Sequence, residues 1–149
     1  MSGTITEIDT TAPVVARHEI VIAASLRRVW DLHTDIDAWT GWQPDITAAA
    51  IDGPVQPGTV FRWSTFGLDI ESTIYSVQYP HRIVWGGPAH GITGVHVWTF
   101  TELDGAVLVR TAESWDGEPI RADIDGMRAA LDSALISWLG HLQRTAESS

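Results

Sequence analysis

Hydrophobic and polar positions alternate along most of this chain, which is the pattern of strands that bury one face. Short clusters of Gly, Pro and Asp interrupt the alternation and are typical of turns. The fifth strand is predicted to end at a glycine-rich stretch, residues 86–91, which reads as a flexible loop at the rim of the fold. In all, the pattern predicts strands over residues 14–23, 46–51, 59–65, 69–77, 82–85, 92–103 and 106–115.

A spacing of three to four residues replaces the alternation in three places and predicts helices there. Ser25 is suited to cap a short helix through His33. Residues 35–42 predict a second short helical segment, which Pro44 ends. Residues 122–145 predict one long C-terminal helix. Its apolar stripe consists of Ile124, Met127, Leu131, Leu135, Trp138 and Leu142.

This order of elements predicts an α+β fold in which a curved antiparallel sheet wraps around the long helix. A sheet of this kind needs a helix to cover its concave face. We expect an apolar ligand cavity between the two. The length of 149 residues suits one domain. We therefore expect a flexible segment over residues 1–13 and a single domain over residues 14–146.

Composition excludes several classes of function. The chain has no cysteine, and all nine of its basic residues are arginine. Thiol nucleophiles, disulfides and lysine Schiff bases are therefore impossible. The formal net charge of −10 argues against a nucleic-acid partner and against an anionic membrane surface. The histidines do not form a metal-binding motif, so we expect neither a metal nor a cofactor.

No secretory signal and no membrane-spanning stretch is recognisable in the sequence. We therefore expect a cytoplasmic protein, present as a monomer or homodimer.

The chain contains eight tryptophans, an unusual number for its length. Such rings can simply fill a core, and this explains most of them. Many large flat side chains in a small domain also suit a pocket for a planar ligand. The pattern leaves both interpretations open.

The last two strands carry a pair of residues capable of acid–base chemistry. Asp104-Gly105 is a strong signal for a two-residue hairpin loop. That loop sets a register in which His96 lies opposite Glu113 and Trp98 lies opposite Thr111, all on the inward face. Residues directly opposite are close enough to hydrogen-bond. The other face of these strands is predicted to contact solvent.

The protonation of this pair depends on two opposing effects. The carboxylate of Glu113 raises the pKa of the His96 imidazole, whereas burial lowers it. The balance can leave the histidine near neutral pH, as a general acid or base requires. The pair can equally be structural, because two polar groups on facing strands satisfy each other.

Several short motifs, taken in order, resemble the polyketide cyclase/dehydrase branch of the START-like helix-grip superfamily, also called SRPBCC. They span residues 14–146, nearly the whole chain. The resemblance implies a deep cavity that receives an apolar or aromatic molecule and implies no universal catalytic residue. The motifs are Val29-Trp30, Trp39-x-x-Trp42-x-Pro44, Gly58-x-x-Phe61-x-Trp63, Pro80-x-Arg82-Ile83-x-Trp85, Gly91-Ile92, Val95-His96-Val97-Trp98, Glu113-x-Trp115-x-Gly117 and Trp138-Leu139.

The leading functional hypothesis is an enzyme that cyclises or dehydrates an apolar, polyketide-like or polycyclic substrate. His96 moves the proton in this hypothesis, and Glu113 orients its ring. The alternatives are a non-catalytic carrier or sensor of a hydrophobic small molecule, such as a lipid or sterol, and a protein-interaction module. The predicted substrate-binding residues are Trp63, Ser72, Trp85, Trp98, Thr111, Trp115, Met127, Leu131 and Trp138.

Overall fold

A computed structural model describes residues 5–148 of the chain. Seven antiparallel strands form one sheet in the order β1-β7-β6-β5-β4-β3-β2. This confirms the predicted sheet. The strands are β1 (Val14–Ile22), β2 (Ile46–Ile51), β3 (Val60–Thr65), β4 (Leu68–Gln78), β5 (Arg82–Ala89), β6 (Ile92–Leu103) and β7 (Ala106–Asp116).

The helices follow the predicted spacing closely. Ser25 caps the first helix, because its hydroxyl accepts a hydrogen bond from the backbone N–H of Arg28. The carboxylate of Asp123 caps the last helix in the same way at Gly126. The helical elements are α1 (Leu26–Thr34), a 3₁₀ helix (Ile36–Gly41), α2 (Glu118–Arg121) and α3 (Ile124–Glu147).

Helix α3 packs its apolar stripe against the concave face of the sheet, as predicted. Leu131 and Leu135 are each 1% exposed and contact Val14 and Ala16 of β1. Further along the helix, Trp138 joins the main core. The sheet and α3 together span Val14 to Glu147. A single domain over residues 14–146 stays a prediction.

The prediction of a loop over residues 86–91 is wrong. Strand β5 continues to Ala89, and only His90 and Gly91 form the turn to β6. Both residues have positive φ angles, 54° and 79°, as a tight two-residue hairpin turn requires. Gly86 is needed inside the strand because a Cβ there would overlap the carbonyl of Gly94 on β6. Its role is close strand approach rather than loop flexibility.

The prediction that the outer face of the sheet contacts solvent is wrong where the N-terminal segment lies. Ile8 is 7% exposed and forms a buried cluster with Val84, Val95 and Val97. The backbone N–H of Asp9 donates to the Ser114 hydroxyl at 2.9 Å. The sequence showed no sign of this, because two isoleucines among polar residues, Ile5 and Ile8, do not establish a periodicity.

The guanidinium of Arg82 holds the same segment by a hydrogen bond to the carbonyl of Thr6 and an ion pair with Glu7 at 3.0 Å. Flexibility of residues 1–13 stays a prediction, and these contacts weigh against it for residues 5–13. Residues 1–4 lie outside the described part of the chain.

Among residues 5–148, no helix is long and apolar enough to cross a membrane.

We expect Ile8→Ala to lower the free energy of unfolding by about 1–3 kcal/mol, since the change removes methyl groups from a buried cluster at the edge of the fold. Ile5→Ala is the matched control, because Ile5 is 40% exposed and should change stability by less than about 0.5 kcal/mol. Denaturant unfolding of both variants measures the difference. Equal effects would mean that the segment does not pack on the sheet in solution.

Candidate active site

The predicted register of the last hairpin is confirmed. Strand β6 pairs with β7 so that His96 lies opposite Glu113 and Trp98 opposite Thr111. The pairing is regular from Leu103 at the turn onward, so alternate residues of both strands face inward. The Asp104-Gly105 turn therefore places the candidate acid–base pair on the concave face.

His96 is enclosed between the sheet and α3, with a residue exposure of 1%. Its Nε2 atom lies 2.7 Å from the hydroxyl oxygen of Thr111. Its Nδ1 atom lies 3.2 Å from Oε1 of Glu113, but the approach is out of line for a ring N–H hydrogen bond. The imidazole is thus anchored firmly on one side and only adjacent to the carboxyl group on the other.

Glu113 lies between this buried histidine and the surface. Its side chain retains 16% exposure, and its Oε2 accepts a hydrogen bond from the indole N–H of Trp115 at 2.7 Å. Burial raises the pKa of the Glu113 carboxyl to about 7, although the Trp115 hydrogen bond acts in the opposite direction. Near neutral pH the group is therefore close to half protonated, which suits an acid–base catalyst.

Burial dominates at the histidine as well. The pKa of His96 is lowered well below its ordinary value, first by desolvation and then by the neighbouring His33. The expectation of a histidine near neutral pH is therefore not met. The reason is that the aromatic surroundings penalise the imidazolium, and the same burial leaves Glu113 too weakly charged to compensate. His96 is a neutral base at pH 7, and Glu113 is the group that titrates there.

A cluster of aromatic rings surrounds the pair, and we call it the aromatic cluster. Ring centroids within it are 4.3–6.4 Å apart, in tilted, stacked and edge-to-face arrangements. Trp98 and Trp39 are completely buried, and Trp63 is partly exposed at the margin. The cluster consists of His33, Trp39, Phe61, Trp63, Trp85, His96, Trp98 and Trp138.

The structure brings most of the predicted substrate-binding residues into this cluster or into contact with it. Ser72 is buried and accepts the indole N–H of Trp63 at 3.1 Å. Met127 and Leu131 do not join the cluster; they pack with Val14, Ala16 and Ile120 near the start of α3. Trp115 lies in this second group and connects the two through its bond to Glu113.

His33 is a member of the site that the sequence analysis did not select. It is 1% exposed, and its ring centroid lies 4.3 Å from that of Trp98. Burial lowers the pKa of His33 to about 3, so it is neutral. Its Nε2 is 3.4 Å from the indole nitrogen of Trp85. The helical spacing of His33 with Val29 and Trp30 was the available signal, because it places His33 on the buried face of α1.

Four buried polar atoms in the aromatic cluster have no hydrogen-bond partner within residues 5–148. They are Nδ1 of His33, Nδ1 of His96, and the indole nitrogens of Trp98 and Trp138. Most buried polar atoms in proteins are paired, and an unpaired one costs about 1–3 kcal/mol. All four of these unpaired atoms belong to the aromatic cluster, so this part of the protein has polar groups that the described residues leave without a partner.

The rings of the aromatic cluster occupy the space between the sheet and α3, so the predicted apolar cavity stays a prediction. Surface grooves are also present, and one of them reaches Trp63 of the aromatic cluster. One, of about 390 Å³, lies beside α1 and includes Arg27, Asp31 and Trp42. The other, of about 580 Å³, lies along β2, β3 and β4. The described residues also contain no group of three or more His, Asp or Glu side chains that could hold a metal ion.

The unpaired indoles predict a contrast in stability between two equally buried tryptophans. Trp39→Phe removes an indole N–H that donates to the carbonyl of His33 at 2.8 Å, whereas Trp98→Phe removes an unpaired one. Loss of ring volume is the same in both. We expect Trp39→Phe to cost about 1–3 kcal/mol more in the free energy of unfolding. Equal losses in denaturant unfolding would show that the Trp98 N–H is paired in solution.

The raised pKa of Glu113 predicts a specific dependence of stability on pH. The folded state favours the protonated carboxyl group of Glu113. The stability that this group contributes is therefore complete below pH 4.5, its ordinary pKa, and is lost as the pH rises through about 7. Glu113→Gln cannot ionise. We expect it to match the wild type at pH 4.5 and to exceed its free energy of unfolding by up to about 3 kcal/mol at pH 8.

Denaturant unfolding across this pH range tests the expectation, with Glu102→Gln, at an exposed position of β6, as the control. A constant difference between Glu113→Gln and wild type at all pH values would contradict the raised pKa.

Several solved structures have the same fold. A hypothetical protein from Helicobacter pylori is 19% identical, with a TM-score of 0.82, over 99% of this chain and 100% of the other. The Zhui aromatase/cyclase from Streptomyces sp. R1128 is 16% identical, with a TM-score of 0.78, over 89% and 93%. A START superfamily protein from Mycobacterium smegmatis is 12% identical, with a TM-score of 0.75, over 89% and 97%. These structures establish the helix-grip, START-like fold.

No curated protein sequence matches the chain. A family model does match, and it covers residues 13–147, which include every element from β1 to α3. The chain belongs to the family described as polyketide cyclase / dehydrase and lipid transport.

Proposed function

We propose that this protein is an enzyme that transfers protons to and from an apolar, ring-forming ketone substrate and so promotes cyclisation or dehydration. The observation that carries the proposal is Glu113, a partly buried carboxyl group with a pKa of about 7 beside a neutral histidine. A structural ion pair would instead stabilise the carboxylate and lower its pKa. The family and the aromatase/cyclase with the same fold support the same chemistry.

The protonation states favour a reversal of the roles assigned from the sequence. Glu113 is the proton carrier in this proposal, because it is close to half protonated at neutral pH. As a carboxylate it removes a proton from the carbon next to a ketone. The electron pair of that C–H bond forms an enolate, which attacks a second carbonyl carbon of the same molecule and closes a ring. The alkoxide formed on the attacked carbon takes the proton back from Glu113, which gives a hydroxyl group and restores the carboxylate.

Dehydration requires a second proton transfer. The carboxylate removes the remaining proton from the carbon that attacked, and the carboxylic acid gives this proton to the departing hydroxyl group as the C–O bond breaks and a C=C bond forms. A water molecule leaves, and the carboxylate is regenerated. A pKa near the working pH allows both directions of transfer.

His96 is a positioning residue in this scheme. The Thr111 hydroxyl fixes its Nε2, and its Nδ1 lies 3.2 Å from Oε1 of Glu113. A neutral Nδ1 can accept the proton of the Glu113 carboxylic acid once the two groups align. The indole N–H of Trp115 donates to the other carboxyl oxygen at 2.7 Å. The carboxyl group is thus held on both sides while it exchanges its proton.

The aromatic cluster accounts for the proposed substrate class. Its walls are flat and apolar, which suits a planar or polycyclic molecule. Because the rings contact one another, ligand entry requires some of them to move apart. Exclusion of water by the same walls would protect a reactive enolate from side reactions.

Other features of the protein remain proposals. The net charge of −10 supports the absence of a nucleic-acid partner. A cytoplasmic location and a monomeric or homodimeric state stay predictions.

Hydrogen–deuterium exchange of a simple ketone tests the proposed proton transfer without knowledge of the natural substrate. In D₂O, removal of a proton from C2 of 1-tetralone introduces deuterium, which mass spectrometry detects. We expect wild-type protein to accelerate this exchange, with a rate that increases as the pH rises through about 7 and Glu113 becomes a carboxylate. Glu113→Gln should reduce the rate by about 10²–10⁴-fold.

His96→Gln should reduce the exchange rate less than Glu113→Gln, and the exposed Glu102→Gln should leave it unchanged. Binding of 1-tetralone, measured by calorimetry, should remain within about threefold of wild type in Glu113→Gln. If Glu113→Gln binds the ketone and exchanges it at the wild-type rate, the protein is a carrier or sensor and the enzyme proposal fails. A greater loss in His96→Gln would restore the roles assigned from the sequence.

A further inference from the structure

The indole N–H groups of Trp98 and Trp138 are the strongest sign of what the site binds. Both are donors without a partner inside the described chain, on side chains that are 0% and 6% exposed. Their ring centroids are 5.3 Å apart. An oxygen atom with two lone pairs can accept from two donors on neighbouring rings. Folding leaves these two groups available for an acceptor that the protein does not supply.

We propose that Trp98 and Trp138 bind the uncharged carbonyl oxygen of the ketone, and that these two indoles therefore select a ketone over a fatty acid or phospholipid. This inference rests on the proposed function and specifies its substrate class. It also gives the two indoles a role in the reaction. When the ketone becomes an enolate, negative charge develops on the same oxygen, and the two donors that hold this oxygen stabilise the charge.

The surroundings of the two indoles explain why the oxygen must be uncharged. His33 and His96, the ionisable neighbours in the aromatic cluster, are neutral because burial lowers the pKa of each. Eight of the nine arginines are exposed, and the ninth, Arg82, pairs with Glu7 on the outer face of the sheet. A permanent carboxylate or phosphate would therefore enter an apolar site without a cation, which is strongly unfavourable.

Buried water is the main alternative partner for these atoms. A water molecule needs two to four polar partners, and the cluster offers four unpaired atoms. Water and a ketone differ in their consequences for binding. If water keeps the site when a ligand enters, a ketone gains nothing over a hydrocarbon of the same shape. If the ligand oxygen replaces the water, the ketone binds more tightly and the advantage depends on the indole donors.

Calorimetry with three small probes distinguishes these cases. The probes are 1-tetralone, tetralin, which lacks the carbonyl oxygen, and 1-naphthoate, which carries a negative charge. We expect wild-type protein to bind 1-tetralone at least about tenfold more tightly than tetralin and more tightly than 1-naphthoate. Trp98→Phe and Trp138→Phe should each reduce the preference for ketone over hydrocarbon by about 3- to 10-fold, the contribution of a neutral hydrogen bond.

Trp42→Phe is the matched control, because Trp42 is a partly buried tryptophan beside α1, outside the aromatic cluster, and its replacement should leave the ketone preference unchanged. The proposal is overturned if wild-type protein binds 1-tetralone no more tightly than tetralin, or if 1-naphthoate binds as well as 1-tetralone. It is also overturned if both phenylalanine variants keep the full preference. The two wild-type comparisons need no variant, so they decide the matter even if a variant does not fold.

The same experiments separate this inference from the proposed function. A ketone preference that depends on Trp98 and Trp138, without any exchange that depends on Glu113, would leave a ketone-binding carrier. Exchange that depends on Glu113, without a ketone preference, would leave an enzyme whose carbonyl site lies elsewhere.

Discussion

The pairing register between β6 and β7 is the constraint on which the site depends. A shift of one residue would turn His96 and Glu113 toward the outer face, together with Trp98 and Thr111. The two-residue Asp104-Gly105 turn prevents such a shift, and the outer face adds a second restraint because Ser114 is bound by the backbone of Asp9. Each strand is therefore held on both faces, and the carboxyl group of Glu113 projects from a backbone with little freedom.

Burial then decides the chemistry that this register makes possible. The aromatic rings around His96 exclude water and so destabilise its charged form. The same low-dielectric surroundings raise the pKa of Glu113. An ion pair would have been locked in one protonation state over the physiological range. A neutral pair with one titrating member can gain or lose a proton near pH 7, which is the property that the proposed reaction needs.

The sequence alone was enough to predict the fold and the facing positions of His96 and Glu113. Both follow from local periodicity and from the Asp104-Gly105 turn. It could not reveal the packing of Ile8 on the outer face, since Ile5 and Ile8 are too few apolar positions to establish a pattern. His33 had the right helical spacing, but its ring neighbours come from strands distant in the chain. The protonation of His96 depended on two effects of opposite sign, and only the three-dimensional arrangement of the rings shows that desolvation is the larger.

The crowding of the tryptophans also has an optical consequence. Five of them, Trp39, Trp63, Trp85, Trp98 and Trp138, form a network in which neighbouring indole centroids are 5.3–6.1 Å apart. At such separations, the excitation energy of one indole is transferred to its neighbours before fluorescence is emitted. The fluorescence of this protein is therefore a collective signal of the whole interior. A molecule that separates any two of these rings should alter the emission of all five, wherever in the network it enters.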